Sequence, residues 1–149
     1  MTLMTKLFLD TNVVIYGLDP REPSKQARCL AWLRQAAQAN SLTISPQVCA
    51  EARSVAVRKL KIEAEDAAKA VLGLLPWCTA PYGADEVRRA LGLVRNWRLS
   101  WWDSVIIASA LAAGCTHFVT EDGQSAPVIE GLTFIDPFKT APELILGAR

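Results

Sequence analysis

Short strand-like runs at residues 6–10, 42–44, 116–120 and 132–135, with a weaker one at 77–80, are set among long segments of helical periodicity. This pattern restricts the fold more than any other feature of the chain. Leu7-Phe8-Leu9 is apolar without alternation, as a strand covered on both faces must be. Helical spacing marks residues 11–16, closed by Gly17-Leu18-Asp19-Pro20, and residues 24–39, with Ala27, Leu30, Ala31 and Leu33 on one side. Ser45-Pro46 reads as an N-cap followed by proline in the first turn, opening a helix that ends in the basic stretch Arg58-Lys59-Leu60-Lys61. Further helices are expected over 63–74 and 83–97. The segment 101–113 is apolar almost all round, as befits a helix buried between layers. Strands alternating with helices predict an α/β chain, a three-layer α/β/α sandwich around a central, mostly parallel sheet.

With 149 residues, 51% apolar and 21% charged, the chain is long enough for one ordinary core, so residues 1–149 are expected to form a single domain. Sixteen Lys and Arg against fifteen Asp and Glu leave a net charge of +1, so any attraction to phosphate must come from local charge placement. Cys29, Cys49, Cys78 and Cys115 are scattered in mostly apolar surroundings, which predicts free thiols and fits a reducing cytoplasm. The apolar stretch before Asp10 is too short for a signal peptide, and the longest one, near residues 105–113, is too short for a membrane span. A cytoplasmic protein without membrane association is expected.

Ligands in a parallel sheet gather outside the carboxyl ends of its strands. Asp10 and Asp122 fall at or just past two such ends. Each has a local explanation: Asp10 can cap the next helix, and Asp122-Gly123 can be a turn. Asp103 stands three residues after Ser100, as in a capping box. Glu51 lies three residues after Val48 and one before Ala52, which turns it towards the apolar side of its helix. Taken together the four acids are harder to explain locally. Asp103 opens a buried helix and has no Lys or Arg at helical spacing, and an unpaired buried carboxylate costs several kcal/mol, on the order of a small domain's net stability.

A hard divalent cation, Mg²⁺ or Mn²⁺, is the economical partner for an all-oxygen set. Such an ion activates water and neutralises charge on a phosphodiester under in-line attack. Thr11, Asn12 and Thr120 sit beside the acids and can orient a carboxylate or a water, although helix capping and strand-end bonding explain Thr11 and Thr120 equally well. Without metal, crowding should raise at least one carboxyl pKa.

Leu7-Phe8-Leu9-Asp10-Thr11-Asn12-Val13, Ser45-Pro46-Gln47-Val48-Cys49-Ala50-Glu51 and Ser100-Trp101-Trp102-Asp103-Ser104-Val105-Ile106-Ile107-Ala108 resemble the PIN domain. Val119-Thr120-Glu121-Asp122-Gly123-Gln124, with the segment from Ile129 to Phe138, is similar to the tail of its VapC-type toxin branch. The pieces occur in the right order over nearly the whole chain. The resemblance implies a PIN-like fold and a Mg²⁺- or Mn²⁺-dependent endoribonuclease acting on RNA. It further implies the toxin of a toxin–antitoxin pair, often dimeric and silenced by a small antitoxin. On this basis Asp10, Glu51 and Asp103 correspond to the family's core acids, Asp122 to its fourth, and Asn12 to a polar position near the metal. Gly123 departs from relatives that carry a bulky apolar residue there, which leaves Glu121 as an alternative fourth ligand.

Arg53, Arg58, Lys59, Lys61, Arg88, Arg89, Arg95 and Arg98 lie on two helices, where they can hold an RNA backbone or simply face solvent. Trp97 is a candidate base-stacking residue, whereas Trp101 and Trp102 are expected in the core. His117 has no partner nucleophile and reads as structural. Two rival functions remain: a phosphatase with Asp10 as nucleophile, which wants a second acid where this chain has Asn12, and a catalytically silent RNA-binding or scaffold module.

Overall fold

A computed structural model describes residues 4–123 and 127–147. In it β1 (Leu7–Leu9), β2 (Leu42–Thr43), β3 (His117–Val119) and β5 (Leu132–Ile135) run parallel, and β4 (Val128–Ile129) is antiparallel to β5. Their order across the sheet is β2-β1-β3-β5-β4. Helices α1 (Thr11–Leu18), α2 (Pro23–Gln38), α3 (Pro46–Arg58), α4 (Ala64–Leu74), α5 (Ala84–Trp97), α6 (Trp101–Ala112) and α7 (Pro142–Leu146) flank it. The expected α/β/α architecture is therefore present.

The topology also locates a crevice. From β1 the chain moves to β2 on one side, and β3 later takes the place on the other side of β1. Where strand order reverses in this way, the loops leaving neighbouring strands diverge and leave space outside their carboxyl ends. Leu9 is in register with Val119, so the next residues, Asp10 and Thr120, flank that space. The ladder holds them firmly: Asp10 N–H donates to Val119 O at 3.0 Å, and Thr120 N–H to Ile135 O at 2.9 Å.

Apolar packing makes this sheet a rigid platform. Leu7, Phe8 and Leu9 have no solvent exposure. The Phe8 and Phe118 rings stack at 5.3 Å, and Phe118 meets Phe134 edge-on at 5.3 Å. Trp32 of α2 is fully buried, and its Nε1–H donates to Pro137 O at 3.2 Å, so the indole's one polar group is satisfied.

Three local expectations need correction. Residues 77–80 do not form a strand: Leu75–Trp77 is a 3-10 turn containing Pro76, and only Cys78 makes a bridge, to Ile44. Ser45 precedes α3 as expected, but its hydroxyl makes no capping bond and is buried without a partner among the described residues. Trp101 and Trp102 are 37% and 65% exposed, since the unbroken burial of α6 begins only at Ser104 and its first turn projects beyond the packed layer. The β4–β5 hairpin was not foreseen. Its two-residue turn, Glu130 and Gly131, has φ of 50° and 88°, the left-handed pair that matches strand twist.

Candidate active site

Asp10 ends β1 and caps α1: its Oδ1 accepts from Thr11 N–H at 2.8 Å. The other oxygen, Oδ2, accepts from Thr120 Oγ1 at 2.8 Å and from Asn12 Nδ2 at 3.4 Å. Capping explains one oxygen of this carboxylate, and the other is held by the loop after β3 and by Asn12. Burial raises the Asp10 carboxyl to about 6, and the charges of Asp103 and Asp122 add to the rise. The bonds from Thr120 and Thr11 act in the opposite direction and are outweighed. One carboxyl does rise as expected, but chiefly through burial, with the crowding of acids a lesser cause.

Asn12 links the start of α1 to the loop after β3. Its Nδ2 also donates to Thr120 Oγ1 at 3.1 Å and to Asp122 Oδ2 at 3.2 Å, while its Oδ1 accepts from Glu121 N–H at 3.3 Å. Thr120 Oγ1 in turn accepts from Asp122 N–H at 3.1 Å. An amide nitrogen carries two hydrogens for these acceptors, so its bonds are shared. Asp10, Asn12, Thr120 and Asp122 thus form one connected group. The φ of Gly123 is not positive, and among the described residues a Cβ there would meet nothing within 4 Å. Gln124 lies outside the described residues.

Asp103 opens α6, and its N–H donates to Ser100 Oγ at 3.2 Å. This is half of the expected capping box. Among the described residues its carboxylate makes no return bond to Ser100, and its charge acts on Asp10. Glu51 is half-buried on α3, where Gln47 Nε2 donates to its Oε1 at 2.8 Å. Gln47 was missed in the sequence, although the i, i+4 spacing of an amide and an acid on one helix is a recognisable pair. Glu51 is not drawn into the Asp10 group, and the described residues contain no cluster of three ready-made metal ligands.

The donor set nevertheless suits a hard cation. The Asp10 oxygens receive only neutral donors while two like charges press on them. Among the described residues five buried side-chain oxygens lack partners, and three of them, Thr11 Oγ1, Gln47 Oε1 and Ser104 Oγ, stand on the first turns of α1, α3 and α6, near Asp10, Glu51 and Asp103 in the chain. Oxygen-rich surroundings of this kind match Mg²⁺ or Mn²⁺ and offer nothing to a soft metal.

A cleft of about 330 Å³ runs from Asn12 past Tyr16 and Glu121 to Arg21 and Lys59. All eight cations singled out in the sequence are exposed. Arg88 and Arg89 are engaged with Asp85 at 2.8 Å and Glu130 at 3.4 Å, surface pairs of small energetic weight. Trp97 is half-buried against the core. His117 Nδ1 lies 2.8 Å from Thr116 Oγ1, and burial lowers its pKa, in keeping with a structural residue. All four cysteines are free, and no described helix is long and apolar enough to cross a membrane.

A mostly parallel α/β sheet, with Asp10 and Asp122 linked through Asn12 and Thr120 at its switch point, defines the class of fold. Residues 7–127 match the family model of the PIN domain, and the chain belongs to the PIN domain family. Among solved structures, the fold is similar to a chain of a toxin–antitoxin complex from Klebsiella pneumoniae, with 22% identity over 89% of this chain and 98% of that one, at a TM-score of 0.63. It is also similar to a chain of VapBC2 from Rickettsia felis bound to a DNA fragment from their promoter, with 18% identity over 88% and 98%, at a TM-score of 0.60. Comparison with curated protein sequences finds none that matches this chain.

Proposed function

We propose that this protein is a divalent-metal-dependent endoribonuclease and the toxin of a toxin–antitoxin pair. The observation that carries the reading is the buried Asp10 carboxylate at the β1/β3 crevice, pressed by the charges of Asp103 and Asp122 and compensated only by neutral donors. Asp10, Glu51, Asp103 and Asp122 would hold Mg²⁺ or Mn²⁺, which when bound supplies an activated water and neutralises charge on the scissile phosphate. The remaining groups prepare that site. Thr120 and Asn12 hold Asp10 Oδ2, Asn12 holds Asp122 Oδ2, Thr11 N–H holds Asp10 Oδ1, and Gln47 holds Glu51. Exposed Arg53, Arg58, Lys59 and Lys61 on and just beyond α3 give an RNA backbone a positive surface.

The two similar complexes support a small antitoxin protein as partner. On this chain an apolar cleft of about 250 Å³ between α1, α2 and α4, lined by Val13, Val14, Leu30, Leu33 and Leu74 among others, has the composition to receive a helix or extended segment. A homodimer and a cytoplasmic location complete the reading.

The test is incubation of purified protein with structured RNAs, and with DNA of the same sequences, in Mg²⁺, Mn²⁺ or EDTA. Cleavage of RNA in metal, lost in EDTA and in Asp10→Asn, is expected. Cleavage that persists in EDTA, or a phospho-aspartate trapped on Asp10, contradicts the proposal.

A further inference from the structure

Glu121 and Asp122 are adjacent acids at the same sheet edge, and their side chains have different partners. Glu121 Oε2 accepts from the Tyr16 hydroxyl at 2.7 Å, and Oε1 from Lys25 Nζ at 3.4 Å. Lys25 Nζ also donates to Tyr16 Oη at 3.3 Å. That ammonium lies 4.8 Å from the Tyr16 ring centre and 5.3 Å from that of Phe138, and the two rings meet edge-on at 5.4 Å. A cation held over two aromatic faces and paired with a carboxylate has little freedom left. Asp122 instead takes the Asn12 amide at 3.2 Å.

The spacing on α1 explains how one helix controls this loop. Asn12 and Tyr16 are four residues apart and share a face. Asn12 Oδ1 holds the Glu121 backbone N–H, and Tyr16 Oη holds the Glu121 side chain. Glu121 is therefore fastened at two points by α1 and at a third by α2, while Asp122 is tied to Asn12 and Thr120.

We propose that Glu121 is a positioning residue, latched by Tyr16 and Lys25, that sets the loop so that Asp122 and not Glu121 is the fourth acid of the site. The assignment of a fourth acid rests on the metal-dependent nuclease reading; the latch itself does not. Glu121 touches neither metal nor substrate in this account. Its effect reaches the site through the Asp122 backbone and the Asn12 amide.

The experiment compares Tyr16→Phe, Glu121→Ala, their double variant, Glu121→Gln and Asp122→Ala for RNA turnover, Mn²⁺ affinity by calorimetry and melting temperature. Loss of a supporting contact should lower kcat about tenfold in Tyr16→Phe and in Glu121→Ala, with KM for RNA little changed. The double variant should be no slower than the slower single one, because both remove one contact. Glu121→Gln retains an acceptor for Tyr16 and should recover most of the rate, and only Asp122→Ala should weaken Mn²⁺ by more than about tenfold. Mn²⁺ affinity falling as far in Glu121→Ala as in Asp122→Ala would make Glu121 a ligand and overturn the proposal. So would multiplying effects in the double variant, or a lowered melting temperature with kcat intact. If the wild type neither binds Mn²⁺ nor cleaves RNA, the nuclease reading fails on its own. Amide exchange over residues 120–122 of the metal-free protein then decides the latch: faster exchange in Tyr16→Phe supports it, and unchanged exchange overturns it.

Discussion

Thr120 Oγ1 donates to Asp10 Oδ2 at 2.8 Å, joining the carboxyl ends of two neighbouring parallel strands that are 110 residues apart in the chain. The same hydroxyl accepts from Asp122 N–H at 3.1 Å. One threonine thus orients the most buried acid of the site and the loop that carries another. Its bond favours the ionised Asp10, and burial nevertheless prevails.

That balance has a consequence for stability. The Asp10 pKa rises from 3.8 to about 6 on folding, so the folded state binds the proton more tightly than the unfolded state. Stability from this group is complete below pH 3.8, declines as pH rises through the window up to about 6, and stays lower above it. At pH 7.5 without metal, Asp10→Asn should therefore be more stable than the wild type by about 1–3 kcal/mol, from 1.36 kcal/mol per pKa unit. Denaturant unfolding at pH 7.5 and pH 4 checks this, and the gain should shrink at the lower pH.

Gln47 is predicted to matter for catalysis rather than for folding. Its Nε2 holds Glu51 Oε1 at 2.8 Å. Removing an orienting partner of a metal-binding carboxylate lowers activity or metal affinity by about 10–100-fold. Gln47→Ala should show such a loss, with a melting temperature close to that of the wild type. An unchanged rate would remove Glu51 from the site.

The tryptophans separate by burial. Trp102 is 65% exposed and Trp32 is fully buried. Trp102→Ala should change stability by no more than about 0.5 kcal/mol, whereas Trp32→Ala should cost about 3–5 kcal/mol. Chemical denaturation of the two variants checks this, the Trp102 variant reporting on the first turn of α6 and the Trp32 variant on the packing of α2.

Sequence reading reached the strand-end acids because their logic is local. An apolar run followed by an acid places Asp10 at a sheet edge whatever the rest of the chain does. Trp101 and Trp102 misled, because periodicity shows which face of a helix is apolar and not how far its first turn projects past the layer. Residues 77–80 misled for a related reason. Their composition suits a strand, but the turn through Pro76 leaves a single bridge, Ile44 to Cys78, closed by the Trp77 carbonyl and the Ala80 N–H. Lys25 was illegible, since its partner Glu121 is 96 residues away and only the closed fold brings them together.

Metal binding here requires four acids to share one cation, although among the described residues no three of them form a ready-made cluster and Glu51 is bonded to Gln47. Calorimetric titration of Mn²⁺ into the wild type, Asp10→Asn, Asp103→Asn and Glu51→Gln measures that sharing without any assay of cleavage. Saturable binding to the wild type, weakened at least about tenfold by each substitution, is the predicted result for direct ligands. Wild-type affinity retained in Asp10→Asn, or no binding to the wild type at all, would contradict the account.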